Sequence, residues 1–217
     1  MKIGVLDYGM GNLFSVEQAL KRLGCDVVVT ADPKVLKATD ALVLPGVGAF
    51  PDAMSRLEET GLLEFLQEVK REQKPLLGIC LGMQLLFEES EEVAPTKGLG
   101  FFKGSIVRFS GKTEAGQSYR VPHMGWNELQ IKQVPQWLQN STMPTDRHVY
   151  FVHSFFATNM DPRELVASAD YHDIDVPGIV QAGSITGMQF HPEKSGTFGV
   201  YLLEKWLMGV KEAATTC

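Results

Sequence analysis

Pro75-Leu76-Leu77-Gly78-Ile79-Cys80-Leu81-Gly82-Met83-Gln84-Leu85-Leu86-Phe87 is the stretch around which the chain is organised. The apolar run from Pro75 to Ile79 reads as a buried strand and Met83 to Phe87 as a helix, so Cys80 falls at a strand-to-helix joint. Gly78 and Gly82, two residues to either side, allow the close approach of strand and helix that a nucleophile elbow needs. A sulfur at the start of a helix meets partial positive charge and free N–H groups, which favour thiolate over thiol. The Leu81 N–H is then in reach of an oxyanion developing beside that sulfur. Most free cysteines are merely small buried apolar residues, so the elbow by itself does not make a nucleophile. It needs a base.

Working outward toward the N-terminus, short apolar strands alternate with helical segments. Lys2 to Asp7, Asp26 to Thr30 and Ala41 to Leu44 read as strands that precede the Pro75 strand. Phe14, Val16, Ala19, Leu20 and Leu23 recur at helical spacing until Gly24, and Asp52 to Glu59 and Leu62 to Glu72 form further helices. Such alternation predicts a parallel sheet covered by helices on both faces, with ligands collecting at the carboxyl ends of its strands. Three loops fall there: Tyr8 to Asn12, Pro45 to Pro51, and the Cys80 elbow. The glycines of Pro45-Gly46-Val47-Gly48 free their peptide planes to turn, so this loop can supply N–H groups to an oxyanion hole shared with Leu81.

Beyond Lys97 the rhythm changes to short β-like runs at Gly104 to Phe109, Ser118 to Val121, Glu128 to Lys132, His148 to Val152, Leu165 to Tyr171 and Ile185 to Phe190. These predict antiparallel additions to one α/β domain spanning 1–217, with a mostly parallel central sheet flanked by helices. A last helix starts near Ser195 with Phe198, Tyr201, Leu202 and Trp206 on one face, and Ala213 to Cys217 reads as a frayed tail. Gln189-Phe190-His191-Pro192-Glu193 ends the final strand. The two-residue step lets the Glu193 carboxylate fix the tautomer of His191. A cysteine nucleophile, a histidine base and an orienting acid at strand ends together carry the logic of a triad.

Composition narrows the alternatives. With 44% hydrophobic and 21% charged residues, the 217-residue chain has the make-up of a soluble globular domain. A net charge of -6 argues against nucleic-acid binding. Cys25, Cys80 and Cys217 form an odd set without C-x-x-C spacing, which suits reduced thiols in the cytoplasm. The apolar run at the N-terminus is too short for a signal peptide, and no stretch is long enough for a bilayer, so no membrane association is expected. No dinucleotide cofactor is expected either, because Phe14 stands where Gly9-x-Gly11 would need a third glycine and the second strand ends in Thr30 rather than an acid. His123, His148, His153 and His172 lack metal-ligand spacing, and His191-x-Glu193 is followed by no Pro-Cys-x-x-Cys, so no metal is expected.

The Gly78-Ile79-Cys80-Leu81-Gly82-Met83-Gln84 elbow with His191-Pro192-Glu193 resembles the class I glutamine amidotransferase family. Asp7-Tyr8-Gly9-Met10-Gly11-Asn12-Leu13, the Pro45 to Gly48 loop, Pro122-His123-Met124-Gly125-Trp126-Asn127 and Tyr150-Phe151-Val152-His153-Ser154 resemble, within it, the branch that serves histidine biosynthesis. The resemblance implies hydrolysis of glutamine by Cys80, His191 and Glu193, an oxyanion hole at Val47, Gly48 and Leu81, and substrate contacts from Gln84, His153, Ser154 and Phe155. It also implies a heterodimer with a TIM-barrel cyclase subunit that receives the ammonia, faced by Asn12, His123, Met124, Trp126 and Lys194. Phe155 stands where the family often has tyrosine, so a hydroxyl contribution is not implied there. A Pro45 to Gly48 peptide turned with its carbonyl into the site would leave the oxyanion hole incomplete until the partner binds its substrate. The alternatives are a glutaminase feeding pyridoxal phosphate, purine or anthranilate synthesis, and a non-catalytic binding subunit of the same fold.

Overall fold

Ile3, Val5, Ala41, Val43, Leu77 and Ile79 bury their side chains on one face of a central sheet, and Leu6, Leu42, Leu44 and Leu76 on the other. Both faces are covered, which is why these strands are continuous apolar runs rather than alternating ones. The computed structural model describes residues 1–139 and 141–216. Its first half is β1 (Lys2–Leu6), α1 (Leu13–Arg22), β2 (Asp26–Thr30), α2 (Pro33–Lys37), β3 (Ala41–Gly46), α3 (Phe50–Glu59), α4 (Leu62–Arg71), β4 (Leu76–Cys80) and α5 (Leu81–Gln84). The second half is β5 (Glu89–Ser90), β6 (Thr96–Lys97), β7 (Ser105–Arg108), β8 (His123–Glu128), β9 (Gln130–Ile131), β10 (His148–His153), β11 (Phe155–Thr158), β12 (Leu165–Tyr171), β13 (Ile174–Ala182), β14 (Ile185–Met188) and α6 (Gly196–Thr216).

The main sheet runs β2-β1-β3-β4-β14-β13-β12-β9. Its first five strands pair in parallel and the rest antiparallel, as expected of the α/β domain. Two smaller sheets, β10-β8 and β11-β7-β5-β6, stand beside it. Helices α1 and α6 cover one face through Val16, Leu20, Phe198, Leu202 and Trp206. Helices α3 and α4 cover the other through Phe50, Leu57, Leu62, Phe65 and Leu66. Helix α4 is capped by Gly61 without a side-chain hydrogen bond, which costs only about a few tenths of a kcal/mol against a capping side chain. Each fully buried large apolar side chain contributes roughly 1.5–3 kcal/mol, so its four buried residues outweigh that cost.

Five sequence expectations need correction. The helix after Cys80 is the single turn Leu81–Gln84, because the carbonyls of Leu85, Leu86 and Phe87 accept from Leu99, Phe101 and Gly100 instead of from a next helical turn. Ser118 to Val121 is no strand and keeps only one bridge, Lys112 to Ser118. The run at Glu128 to Lys132 is divided between the end of β8 and the short β9, and β8 itself begins at His123. Phe14, expected on the inner face of α1, is 71% exposed. The last helix continues through Thr216 instead of fraying at Ala213; Cys217 lies outside the described residues. Strand β13 was not foreseen, since Pro177 argues against a strand interior. Register shifts in β12 beside the Ser168–Pro177 pair accommodate it. Among the described residues, no helix is long and apolar enough to cross a membrane.

Candidate active site

Neighbouring strands β3, β4 and β14 of the parallel block bring three functional segments to their carboxyl ends. Strand β3 ends in Pro45–Gly46 and runs into Val47 and Gly48, β4 ends in Cys80, and β14 leads through Gln189 to His191. A cavity of about 380 Å³ opens there, lined by Val47, Gly48, Cys80, Leu81, Gln84, His153, Ser154, Phe155 and His191 among others. The separation in sequence between β3, β4 and β14 is erased by their lateral pairing.

Cys80 is buried and holds φ 55° and ψ -113°. A positive φ in a non-glycine residue is strained, and here it turns the chain sharply from strand into helix. The His191 Nδ1–H donates to Glu193 Oε1 at 2.8 Å, with both side chains almost fully buried. The Ser195 hydroxyl donates to the His191 carbonyl at 2.6 Å and accepts from the Tyr150 N–H at 2.9 Å, tying the histidine turn to β10. Burial opposes the His191 imidazolium, but hydrogen bonds to Cys80 and Glu193, reinforced by their charges, push its pKa up to about 9. At neutral pH His191 is therefore a proton donor beside the sulfur.

That raised value has a direction in pH. His191 contributes stability that is fully present below the ordinary imidazole range and is lost as pH rises through about 9. The activity that the resemblance implies is expected to fall over the same alkaline range, as His191 loses the proton it would donate. A profile of kcat/KM against pH that stays level to pH 10 would contradict this.

The flanking groups are set from several elements. Gly48 has φ 105°, a backbone setting that favours glycine, in the loop expected to complete the oxyanion hole. The Tyr8 hydroxyl donates to the Pro45 carbonyl at 2.8 Å and fixes the root of that loop. Burial, then the charge of Cys80, hold the Tyr8 phenol well above its usual pKa, so it remains a donor. Gln84, 5% exposed, donates from Nε2 to the Phe155 carbonyl at 2.9 Å and to Gln189 Oε1 at 3.0 Å.

Two residues at the site, one beside Cys80 and one on the cavity wall, were given no role from the sequence. Gln189 is fully buried, with its Nε2 4.0 Å from Cys80 Sγ. Its position two residues before His191 was the available signal. Glu92 lines the cavity and accepts from the Phe50 N–H at 2.7 Å. Nothing in the local pattern of Glu91-Glu92 separates it from a solvated acid.

The residues expected to face a partner divide. Met124 and Trp126 are 51% and 54% exposed on the outer face of β8, with Trp126 beside Tyr150 and Gly196. Lys194 is exposed next to His191 and Glu193, and Asn12 is half-buried, capping α1 through Ser15 N–H. His123 does not belong with them. It is fully buried, because alternation along β8 turns it inward when Met124 and Trp126 point out.

Known proteins agree with this architecture. The family model for class-I glutamine amidotransferases matches residues 4–210. The chain is 51% identical to the imidazole glycerol phosphate synthase subunit HisH of Geobacillus kaustophilus, over 94% of this chain and 95% of that protein. It is 52% identical to HisH of Shouchella clausii, over 94% and 96%, and 48% identical to HisH of Bacillus subtilis, over 94% of each. Among solved structures, a glutamine amidotransferase superposes with a TM-score of 0.72 at 21% identity, covering 95% of this chain and 98% of the other. PurLQS from Thermotoga maritima superposes at 0.69 and 18% identity, covering 96% and 98%. The folds agree where sequence has diverged, and sequence agrees along nearly the whole length of the HisH proteins: the chain belongs to the class-I glutamine amidotransferase family, on its HisH branch.

Proposed function

We propose that Cys80, His191 and Glu193 hydrolyse glutamine, and that the ammonia passes to a TIM-barrel cyclase subunit for imidazole glycerol phosphate synthesis in the histidine pathway. The observation that carries this reading is the strained Cys80 beside His191, itself held by Glu193, in the wall of one cavity. The Cys80 thiolate attacks the side-chain carbonyl carbon of glutamine and forms a C–S bond. The Gly48 and Leu81 N–H groups, with Val47 shaping the loop, receive the oxyanion. His191 gives its proton to the departing ammonia as the C–N bond breaks, leaving a γ-glutamyl thioester. It then takes a proton from water, whose attack releases glutamate and restores the thiolate. Gln84, His153, Ser154 and Phe155 hold the substrate's α-carboxylate and α-amino groups.

The partner surface lies where ammonia would leave. Exposed Trp126 and Met124, with Lys194 nearby, form an apolar patch with a cationic rim beside the catalytic turn. Large aromatic side chains buried on association concentrate binding energy. Glutamate release should rise sharply when the barrel and its nucleotide are added to this chain, and Trp126→Ala should weaken barrel binding by roughly 2 kcal/mol, about thirtyfold in Kd. Titration calorimetry and a coupled glutamate assay read both. Unchanged release with the barrel present, or unchanged Kd in the variant, would move the partner to another synthase.

A further inference from the structure

Behind the cavity, a chain of close polar contacts runs from the partner-facing strand to the proposed glutamine pocket. The Asn127 Nδ2 donates to the Asp170 carbonyl at 3.0 Å, which turns its Oδ1 toward His123 Nε2 at 2.9 Å. His123 Nδ1 lies 3.0 Å from His153 Nε2, and His153 Nδ1 lies 2.8 Å from the Phe155 carbonyl. That carbonyl also accepts from Gln84, and His153, Phe155 and Gln84 all line the cavity.

Proton counting fixes the roles. A carbonyl only accepts, so His153 carries its proton on Nδ1 and offers a lone pair at Nε2; His123 must donate to it from Nδ1. Burial lowers the pKa of His123 and brings that of His153 to about 3, so both rings are neutral at working pH. The full chain asks for three N–H groups and two neutral imidazoles carry two. The shortfall falls at Asn127: with Nδ1 as the donor, His123 Nε2 carries a lone pair, so the 2.9 Å approach of Asn127 Oδ1 is no hydrogen bond until that half-buried amide turns its Nδ2 toward the ring.

We propose that His123 is a positioning residue for glutamine hydrolysis: its Nδ1–H fixes the His153 ring, which holds the Phe155 carbonyl and the Gln84 amide against the bound glutamine. The kinetic part of this inference rests on the glutaminase reading above. His123 is also sandwiched between Tyr171 and Phe151, with ring centroids 3.9 and 4.7 Å away, so packing is the competing account.

Two substitutions separate them. His123→Phe keeps an aromatic ring in the sandwich and removes the donor. His123→Asn loses the ring, but its amide nitrogen stands near the position of Nδ1 and can donate to His153. The complex with the barrel should show KM for glutamine raised about tenfold in His123→Phe with kcat within about twofold, as expected for one lost hydrogen bond. KM should stay near wild type in His123→Asn even where its unfolding temperature is lower. Wild-type KM in His123→Phe, or an equal rise in both variants, overturns the proposal. Nitrogen-15 shifts of the histidine side chains in the isolated wild-type chain give a second measurement independent of activity. They should show His153 protonated at Nδ1 and bare at Nε2, and the reverse tautomer overturns the proposal. A wild-type complex that releases no glutamate would instead sink the glutaminase reading, and the nitrogen shifts would still decide the histidine contact.

Discussion

Cys80→Gly is expected to abolish glutamate release and yet be about 1–2 kcal/mol more stable than Cys80→Ala. At most solvent-facing helix or strand positions the order is the opposite, because glycine loses more backbone freedom on folding. Cys80 sits at φ 55° and ψ -113°, a region that any Cβ makes costly and that glycine enters freely. The two variants both lack the sulfur, so their difference in stability isolates the strain of the elbow. Loss of a nucleophile that acts with a base as one unit costs about four orders of magnitude or more in turnover. Binding to the barrel should survive in both, since Trp126 and Met124 lie on a different strand. Urea denaturation of the pair, together with the glutamate assay, checks the expectation. Equal stability would mean that the elbow is unstrained, and residual turnover above about a thousandth would mean that Cys80 is not the nucleophile.

The strain also explains why the site was legible from sequence. A glycine-flanked cysteine at the end of an apolar run, and a His-Pro-Glu step after another, are local patterns, and buried parallel strands announce themselves by unbroken Val, Ile and Leu. Ile3, Val43 and Ile79 are such residues, and the first half of the fold followed from them. The second half followed in part: β7, β10, β12 and β14 fall where the sequence places them, whereas β8 and β13 hide their periodicity. On β8 the inward positions are His123, Gly125 and Asn127 while Met124 and Trp126 point outward, which inverts the usual hydrophobic pattern. On β13, Pro177 and Gly178 interrupt the run that register shifts in the neighbouring strand then absorb. The contacts of Glu92 and Gln189 were hidden for another reason. Their partners Phe50 and Cys80 lie 42 and 109 residues away, and only the folded sheet brings them together.

Gly82→Ala is expected to destabilise the chain by on the order of 4 kcal/mol or more, at the severe end for a single substitution. A Cβ on Gly82 would lie 1.8 Å from the Leu44 carbonyl oxygen and 2.8 Å from its carbon. These are backbone atoms of a central strand, so no side-chain rotation relieves the overlap. Either the elbow moves away from β3, dragging Cys80 out of line with His191, or β3 moves and takes the Pro45 to Gly48 loop with it. Both displacements harm the oxyanion geometry as well as the core. Gly61→Ala is the matched control: its φ is 72° but nothing lies within 4 Å of the added carbon, so only backbone strain of about 1 kcal/mol is expected. If close packing rather than glycine flexibility builds the elbow, thermal unfolding should separate the two variants by roughly 6–12 °C, with glutamate release lost only in Gly82→Ala. Similar midpoints for both would show that the elbow can open without consequence. The close approach of β3 and β4 would then not be what holds the nucleophile in place.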